Sequence, residues 1–108
     1  MRVSPPRAWV GILLADIRFP GSRTLKDRRG TLKSLLDRMR NIGFSAAQTG
    51  PADLVARAWI TAACASGSER GARLMLDAAA GMLQDASFEL GGLETDIVLF
   101  DPGMEAGP

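Results

Sequence analysis

The sequence predicts an α+β fold in which two helices cover one face of a four-stranded antiparallel sheet. Three observations carry this prediction. Apolar residues alternate over residues 8–19 and 54–65, which is the two-residue period of strands. In two other segments apolar residues recur every three or four positions, which is the period of amphipathic helices. Glycine or proline separates all but the last two of these segments, whose order is strand, helix, strand, strand, helix, strand.

The first strand is predicted over residues 8–19. Its apolar face consists of Trp9, Gly11, Leu13, Ala15, Ile17 and Phe19. The other face begins with apolar side chains and ends with Asp16 and Arg18. This pattern is typical of a central strand whose far end reaches solvent, and Pro20 and Gly21 end it.

The first helix is predicted to begin at Thr24 and to end at Gly43. Thr24 and Asp27 have the spacing of a capping box, with aspartate in place of the preferred glutamate. The apolar residues at helical spacing are Leu25, Leu32, Leu35, Leu36, Met39 and Ile42. They predict one long helix with a single buried side.

Two strands, a helix and a last strand are predicted in the second half. The strands are expected over residues 44–48 and 54–65, although the alanine content of the latter leaves a helix as the alternative. A helix follows Ser68, with an apolar face of Ala72, Met75, Leu76, Ala79, Met82, Leu83 and Ala86. The last strand is expected over residues 88–90 and 95–100, broken or bulged at Gly91 and Gly92.

This order of elements predicts a ferredoxin-like βαββαβ fold with the first and third strands at the centre of the sheet. A chain of 108 residues has the length of one domain, which we place at residues 8–100. The segments 1–7 and 101–108 lack periodicity and are predicted to be flexible tails.

Composition excludes several classes of function. The chain has no histidine, and Cys64 is its only cysteine, so we expect no internal disulfide, no metal, no cofactor and no enzymatic activity. No apolar run approaches the roughly 20 residues that span a bilayer, and no apolar stretch of a signal peptide follows Arg2. We therefore expect a cytoplasmic protein without membrane contact.

Charge is distributed unevenly along the chain. Residues 1–57 contain eleven lysines and arginines and four acidic residues. Residues 58–108 contain two arginines and eight acidic residues. Eight of the thirteen basic residues lie in residues 18–41. This asymmetry indicates either a polyanionic partner or self-association through complementary halves, and a dipolar soluble surface is the alternative.

Six of these basic residues are candidates for binding a nucleic acid or another anion. A helical wheel places Lys26, Arg29, Lys33 and Arg40 along one side of the first helix, and we call these four the basic stripe. Arg18 and Arg23 are expected at the corner between strand and helix, beside the free N–H groups of the first turn. The alternative is a solvated helix face whose long side chains shield the core.

A second candidate surface is the sheet face away from the helices. Ile12, Leu14 and Trp59 are predicted to share it. An apolar face of this kind favours burial against a second subunit, so we expect a homodimer. A lone tryptophan lacks the aromatic pattern of a sheet that stacks RNA bases.

The segment "IRFPGSRTLKDRRGTLKSLLDRMRN" resembles the signature of the YlxP-like family, a bacterial domain of unknown function. The matching positions are Pro20, Gly21, Ser22, Arg23, Leu25, Lys26, Arg28 or Arg29, and Lys33 to Arg38. "DLVARAWITAACAS" is similar to a second family motif, with Val55 where the family often has tryptophan.

The resemblance covers about residues 8–100 and implies a ferredoxin-like fold. It also implies a gene often found beside genes of translation and ribosome maturation, and it implies no established activity. We therefore expect a binding module for RNA or the ribosome that uses the basic first helix. A structural or regulatory homodimer without nucleic-acid binding is the alternative.

Overall fold

The computed structural model describes residues 3–85 and 87–105. The order of elements is βαββαβ, as predicted, and the alanine-rich middle segment is a strand. The elements are β1 (Ala8–Arg18), α1 (Leu25–Asn41), β2 (Ser45–Thr49), β3 (Arg57–Ser66), α2 (Glu69–Met82) and β4 (Glu89–Phe100), followed by a 3-10 helix at Pro102–Glu105. The predicted ferredoxin-like α+β fold is confirmed.

The four strands form one antiparallel sheet in the order β2-β3-β1-β4. The central positions of β1 and β3 were predicted, and their register runs from Trp9 opposite Ser66 to Arg18 opposite Arg57. Helix α1 packs mainly on β2, whereas α2 packs on β1, β3 and β4. The largest fully buried side chains are Leu13, Ile17, Leu35, Met39, Ile60 and Leu83. The core therefore lies between one sheet face and the two helices.

Local sequence accounts for both ends of α1. The Thr24 side chain accepts a hydrogen bond from the Asp27 backbone N–H, and the Asp27 carboxylate accepts one from the Thr24 backbone N–H. This confirms the predicted capping box. After the helix, Gly43 has φ +104°, a conformation that side chains with a Cβ rarely adopt.

The start of β3 differs from the prediction. The strand begins at Arg57 rather than at residue 54, since the carbonyls of Ala52 and Leu54 accept hydrogen bonds from the Arg28 side chain. The Ala56 carbonyl accepts one from the backbone N–H of Phe19. The Phe19–Ala56 bond continues the β1–β3 register by one pair, whereas the carbonyls of Ala52 and Leu54 are bound by α1, so the regular strand begins only at Arg57.

Strand β4 is continuous and carries the expected bulge. Asp16 lies opposite Gly92 and Ile17 lies opposite Leu90, so Gly91 is the extra residue. A Cβ at Gly91 would lie 2.6 Å from Arg18 Nε and 3.1 Å from Asp16 Oδ2. A side chain at this position would therefore have to displace the flexible Arg18 side chain from the backbone of the bulge.

Several smaller predictions have outcomes in the structure. Cys64 is buried on the helix-covered face, as expected. Ala86 and the tail residues 1, 2 and 106–108 lie outside the described residues. No helix in the described part of the chain is long and apolar enough to cross a membrane.

Candidate functional site

Helix α1 presents its basic stripe to solvent. Arg28, Leu32, Leu35 and Met39 point into the protein. The stripe residues lie on another side of the helix, and all four are exposed. The predicted placement of Lys26, Arg29, Lys33 and Arg40 on one exposed side is therefore correct.

Four of the six candidate cations are exposed without a carboxylate partner. Among the side chains that the structure describes, which end at residue 103, no carboxylate oxygen lies within 4.0 Å of the side-chain nitrogens of Arg23, Lys26, Arg29 or Lys33. Arg38, in contrast, pairs with Asp85 at 3.5 Å. We call Arg23, Lys26, Arg29 and Lys33 the basic surface. These four side chains are exposed, so an external anion can reach them.

Arg40 belongs to the stripe by position but is engaged within the protein. Its Nε and Nη2 donate to the Ala46 carbonyl at 3.2 and 2.7 Å. Its Nη1 lies 3.4 Å from an Asp37 carboxylate oxygen. The guanidinium therefore ties the end of α1 to β2, at the margin of the sheet.

Arg18 lies apart from the basic surface. Because side chains alternate along β1, Ile17 enters the core and Arg18 points to the opposite sheet face, away from α1. Its Nη2 lies 3.4 Å from Asp16 Oδ2. The Arg18 side chain is therefore on the sheet face opposite the helices, whereas Arg23 directly precedes the N-cap Thr24.

The N-terminal turn of α1 carries its own carboxylate. Asp27 Oδ2 accepts hydrogen bonds from the backbone N–H groups of Arg23 and Thr24 at 2.9 and 3.0 Å. These bonds favour the ionised carboxylate and hold the pKa of Asp27 below its usual range. The position that an external anion would take at this helix end is occupied by Asp27.

The sheet face away from the helices, which we call the open sheet face, carries apolar side chains among charged ones, since Glu94 lies opposite Leu14 and Asp96 opposite Ile12. Ile12, Leu14 and Trp59 share it, as their alternation predicted. Leu14 is 37% exposed, and Val98 and Phe100 on β4 are 43% and 53% exposed. A cavity of about 340 Å³ on this face is lined by Leu14, Asp16, Trp59, Gly92, Leu93 and Glu94.

The open sheet face also contains an ion pair that the sequence analysis did not identify. Arg57 Nε donates to Asp16 Oδ1 at 3.0 Å, and Nη2 donates to Oδ2 at 2.9 Å. The same guanidinium lies 4.3 Å from the centre of the Trp59 ring. These hydrogen bonds favour the charged form of both residues, so they lower the pKa of Asp16 and raise the pKa of Arg57. The sequence contained a signal for this ion pair. Arg57 and Trp59 are two residues apart on one strand and therefore share a face, and a charged side chain among apolar ones needs a partner.

Arg28 is the second residue that the sequence analysis missed. It is only 4% exposed, and its Nε and Nη2 donate to the carbonyls of Leu54 and Ala52 at 3.0 and 2.9 Å. It also lies 6.0 Å from the centre of the Phe19 ring. Its position on the helical wheel, within the apolar arc of α1, was the available signal. One of the eight basic residues in residues 18–41 is therefore a structural group.

The described residues contain no group of three or more histidine, cysteine, aspartate or glutamate side chains placed to hold a metal ion. The candidate site is thus the basic surface on α1 and the residue before its N-cap, together with the exposed apolar side chains of the open sheet face.

The element order, the sheet order and these two surfaces define a small ferredoxin-like α+β domain. A family model described as "Protein of unknown function (DUF503)" matches residues 10–96. The chain belongs to this family, in agreement with its resemblance to the YlxP-like family. The search of curated proteins found no match for the chain.

Proposed function

We propose that this protein binds RNA, free or within the ribosome, through the basic surface of α1. One observation carries the proposal: Arg23, Lys26, Arg29 and Lys33 are exposed, and no carboxylate of the described residues pairs with them. When such cations contact RNA phosphates, they release the counterions condensed on the RNA, which drives association.

The spacing of the lysines and arginine suits a phosphate chain. Lys26, Arg29 and Lys33 are three and four residues apart, so they lie on one side of α1 at rises of about 4.5 and about 6 Å along its axis. An extended strand that runs along the helix would meet all three cations in turn. This arrangement supports contact with several phosphates rather than with a single small anion.

We propose a binding role rather than catalysis because the chain has no histidine and its one cysteine is buried in the core. The proposal implies a cytoplasmic protein, since ribosomes and most RNA are located there. It assigns no role in binding to Arg18 or Arg40, whose guanidinium groups contact Asp16, Asp37 and the Ala46 carbonyl.

The test is binding to purified ribosomes and to single-stranded RNA over a salt series. Four phosphate contacts give a slope of log K against log salt of about −3, and K26Q/K33Q should bring it to about −1.5. R70Q/R73Q is the matched control because it removes two exposed cations from α2 instead. The proposal is wrong if K26Q/K33Q binds like the wild type, or if both variants weaken binding equally.

A homodimer through the open sheet face is the second candidate function. The observation that favours it is the exposure of Leu14, Val98 and Phe100 on one face. Light scattering should then show a dimer that V98E or W59E dissociates. L74E is the control, because Leu74 is 58% exposed but lies on α2. A monomer at high protein concentration would exclude this candidate.

A further inference from the structure

We propose that a cleft between α1 and β2 holds one unpaired nucleobase of the bound RNA, an inference that rests on the function proposed above. The cleft has a volume of about 200 Å³ and adjoins the basic surface. We call it the base cleft, and it is lined by Leu25, Arg28, Arg29, Leu32, Gln48 and Ala52.

The size of the base cleft matches a single planar ring system. Pockets for drug-sized ligands start at about 300 Å³. The cleft therefore has room for one base. The sugar and phosphate of the same nucleotide would remain in solvent.

The lining combines apolar walls with a cation at the rim. Leu25, the first residue of α1, is 36% exposed. Leu32, about two helical turns further along, is 6% exposed. Apolar surfaces and arginine planes are the groups on which unstacked RNA bases pack. Arg29 lines the cleft and also belongs to the basic surface. One helix side can therefore contact a base and the phosphates that flank it.

Gln48 supplies the polar group that a base edge requires. Its side-chain Nε2 is buried, and it has no hydrogen-bond partner among the described residues. A buried donor left without a partner costs about 1–3 kcal/mol, and an acceptor on the base would recover this once the Gln48 side chain turns its buried nitrogen towards the cleft. The terminal amide rotates readily about its last bond, so it can offer either a donor or an acceptor to the cleft. Base edges carry both kinds of group, and amides pair with them.

The opposite wall is held in place before any ligand binds. Arg28 donates to the carbonyls of Ala52 and Leu54, so the loop that carries Ala52 is fixed to α1. A phosphate or carboxylate would use the cations but would place a charge against Leu25 and Leu32. The combination of apolar walls, a fixed loop and an unused amide favours a neutral planar base.

The test compares labelled 12-nucleotide homopolymers of A, U, C and 7-deaza-G, which forms no quadruplex, at one salt concentration, by fluorescence anisotropy. The wild type should separate the best from the worst polymer by at least about 5-fold, the lower bound for an amide that reads a base edge. Q48M should reduce this separation to below about 2-fold while the salt slope stays unchanged. A52L, at an exposed loop position, fills the cleft from the other wall and should have the same effect.

The outcomes separate this inference from the proposed function. If K26Q/K33Q binds every polymer as well as the wild type, RNA binding by the basic surface is wrong and the base cleft fails with it. If K26Q/K33Q weakens all four polymers but the wild type separates them by less than 2-fold, the base cleft is wrong and RNA binding stands. The base cleft is also overturned if Q48M and A52L both retain the separation.

Discussion

Arg57 holds Asp16 by two hydrogen bonds across neighbouring strands, at 3.0 Å from Nε to Oδ1 and 2.9 Å from Nη2 to Oδ2. Two such bonds fix the planar guanidinium against the carboxylate. Trp59, which lies directly opposite Asp16 in the register, covers the guanidinium from one side. This pairing allows the Asp16 carboxylate, which is only 15% exposed, to lie beside the apolar side chains of the open sheet face.

Replacement of Asp16 by asparagine should destabilise the protein by about 1 kcal/mol. A hydrogen bond to a charged group contributes more than this, but the Arg57 side chain is 42% exposed and solvent screens the pair. The melting temperature should fall by about 4–8 °C. A double-mutant cycle with R57M isolates the interaction, and purely additive losses would show that the two residues are not coupled.

Stability should decline in acid because three carboxyl groups have a lowered pKa. The causes are hydrogen bonds from Arg57 for Asp16, backbone N–H groups for Asp27, and the backbone N–H and hydroxyl of Ser87 for Asp85. A lowered folded-state pKa means that the unfolded chain binds more protons. The stabilisation is complete above the ordinary value of 3.8 and is lost as the pH falls below it.

Urea denaturation at pH values from 7 to 2 measures this decline. The denaturation midpoint should be level near neutral pH and should drop below about pH 4. D27N should have a smaller drop than the wild type, since one of the three groups no longer titrates. A midpoint that does not change down to pH 2 contradicts the lowered pKa values.

Two glycines should respond oppositely to substitution by alanine. A Cβ at Gly11 in β1 would lie 2.9 Å from Cys64 Sγ and 3.1 Å from Leu76 Cγ, and both neighbours are buried. G11A should therefore destabilise the protein by about 1–3 kcal/mol. A Cβ at Gly30 in α1 meets no atom within 4 Å, so G30A should stabilise it by up to about 1 kcal/mol. Chemical denaturation measures both, and a stabilising G11A would show that β1 and α2 do not pack this closely.

Replacement of Arg28 by methionine should destabilise the protein by about 1–3 kcal/mol. The substitution leaves the carbonyls of Ala52 and Leu54 without these donors, so amide exchange in residues 50–56 should become faster. R29M is the matched control because Arg29 is the exposed neighbour on the same helix. It should change stability by less than about 0.5 kcal/mol and should weaken RNA binding instead. Equal stability losses in the two variants would refute the division of roles.

Features that depend on neighbouring residues were predictable. The capping box at Thr24 and Asp27, the end of α1 before Gly43 and the bulge at Gly91 follow from local chemistry that acts within a few residues. The strand faces followed from alternation, which placed Leu14 and Trp59 on the open sheet face. The start of β3 was not predictable, because Arg28 binds the preceding carbonyls from a distance of 24 and 26 residues along the chain.

By itself, the sequence determined the order of the elements and the side of each element that enters the core, because both depend on periodicity and on caps. Only the tertiary structure decided which cations remain accessible. Arg28 and Arg40 donate to backbone carbonyls outside α1, and Arg57 meets a carboxylate 41 residues away. Such partners come together only when the chain folds. The number of basic residues in the sequence is therefore larger than the number of cations that remain accessible to a ligand.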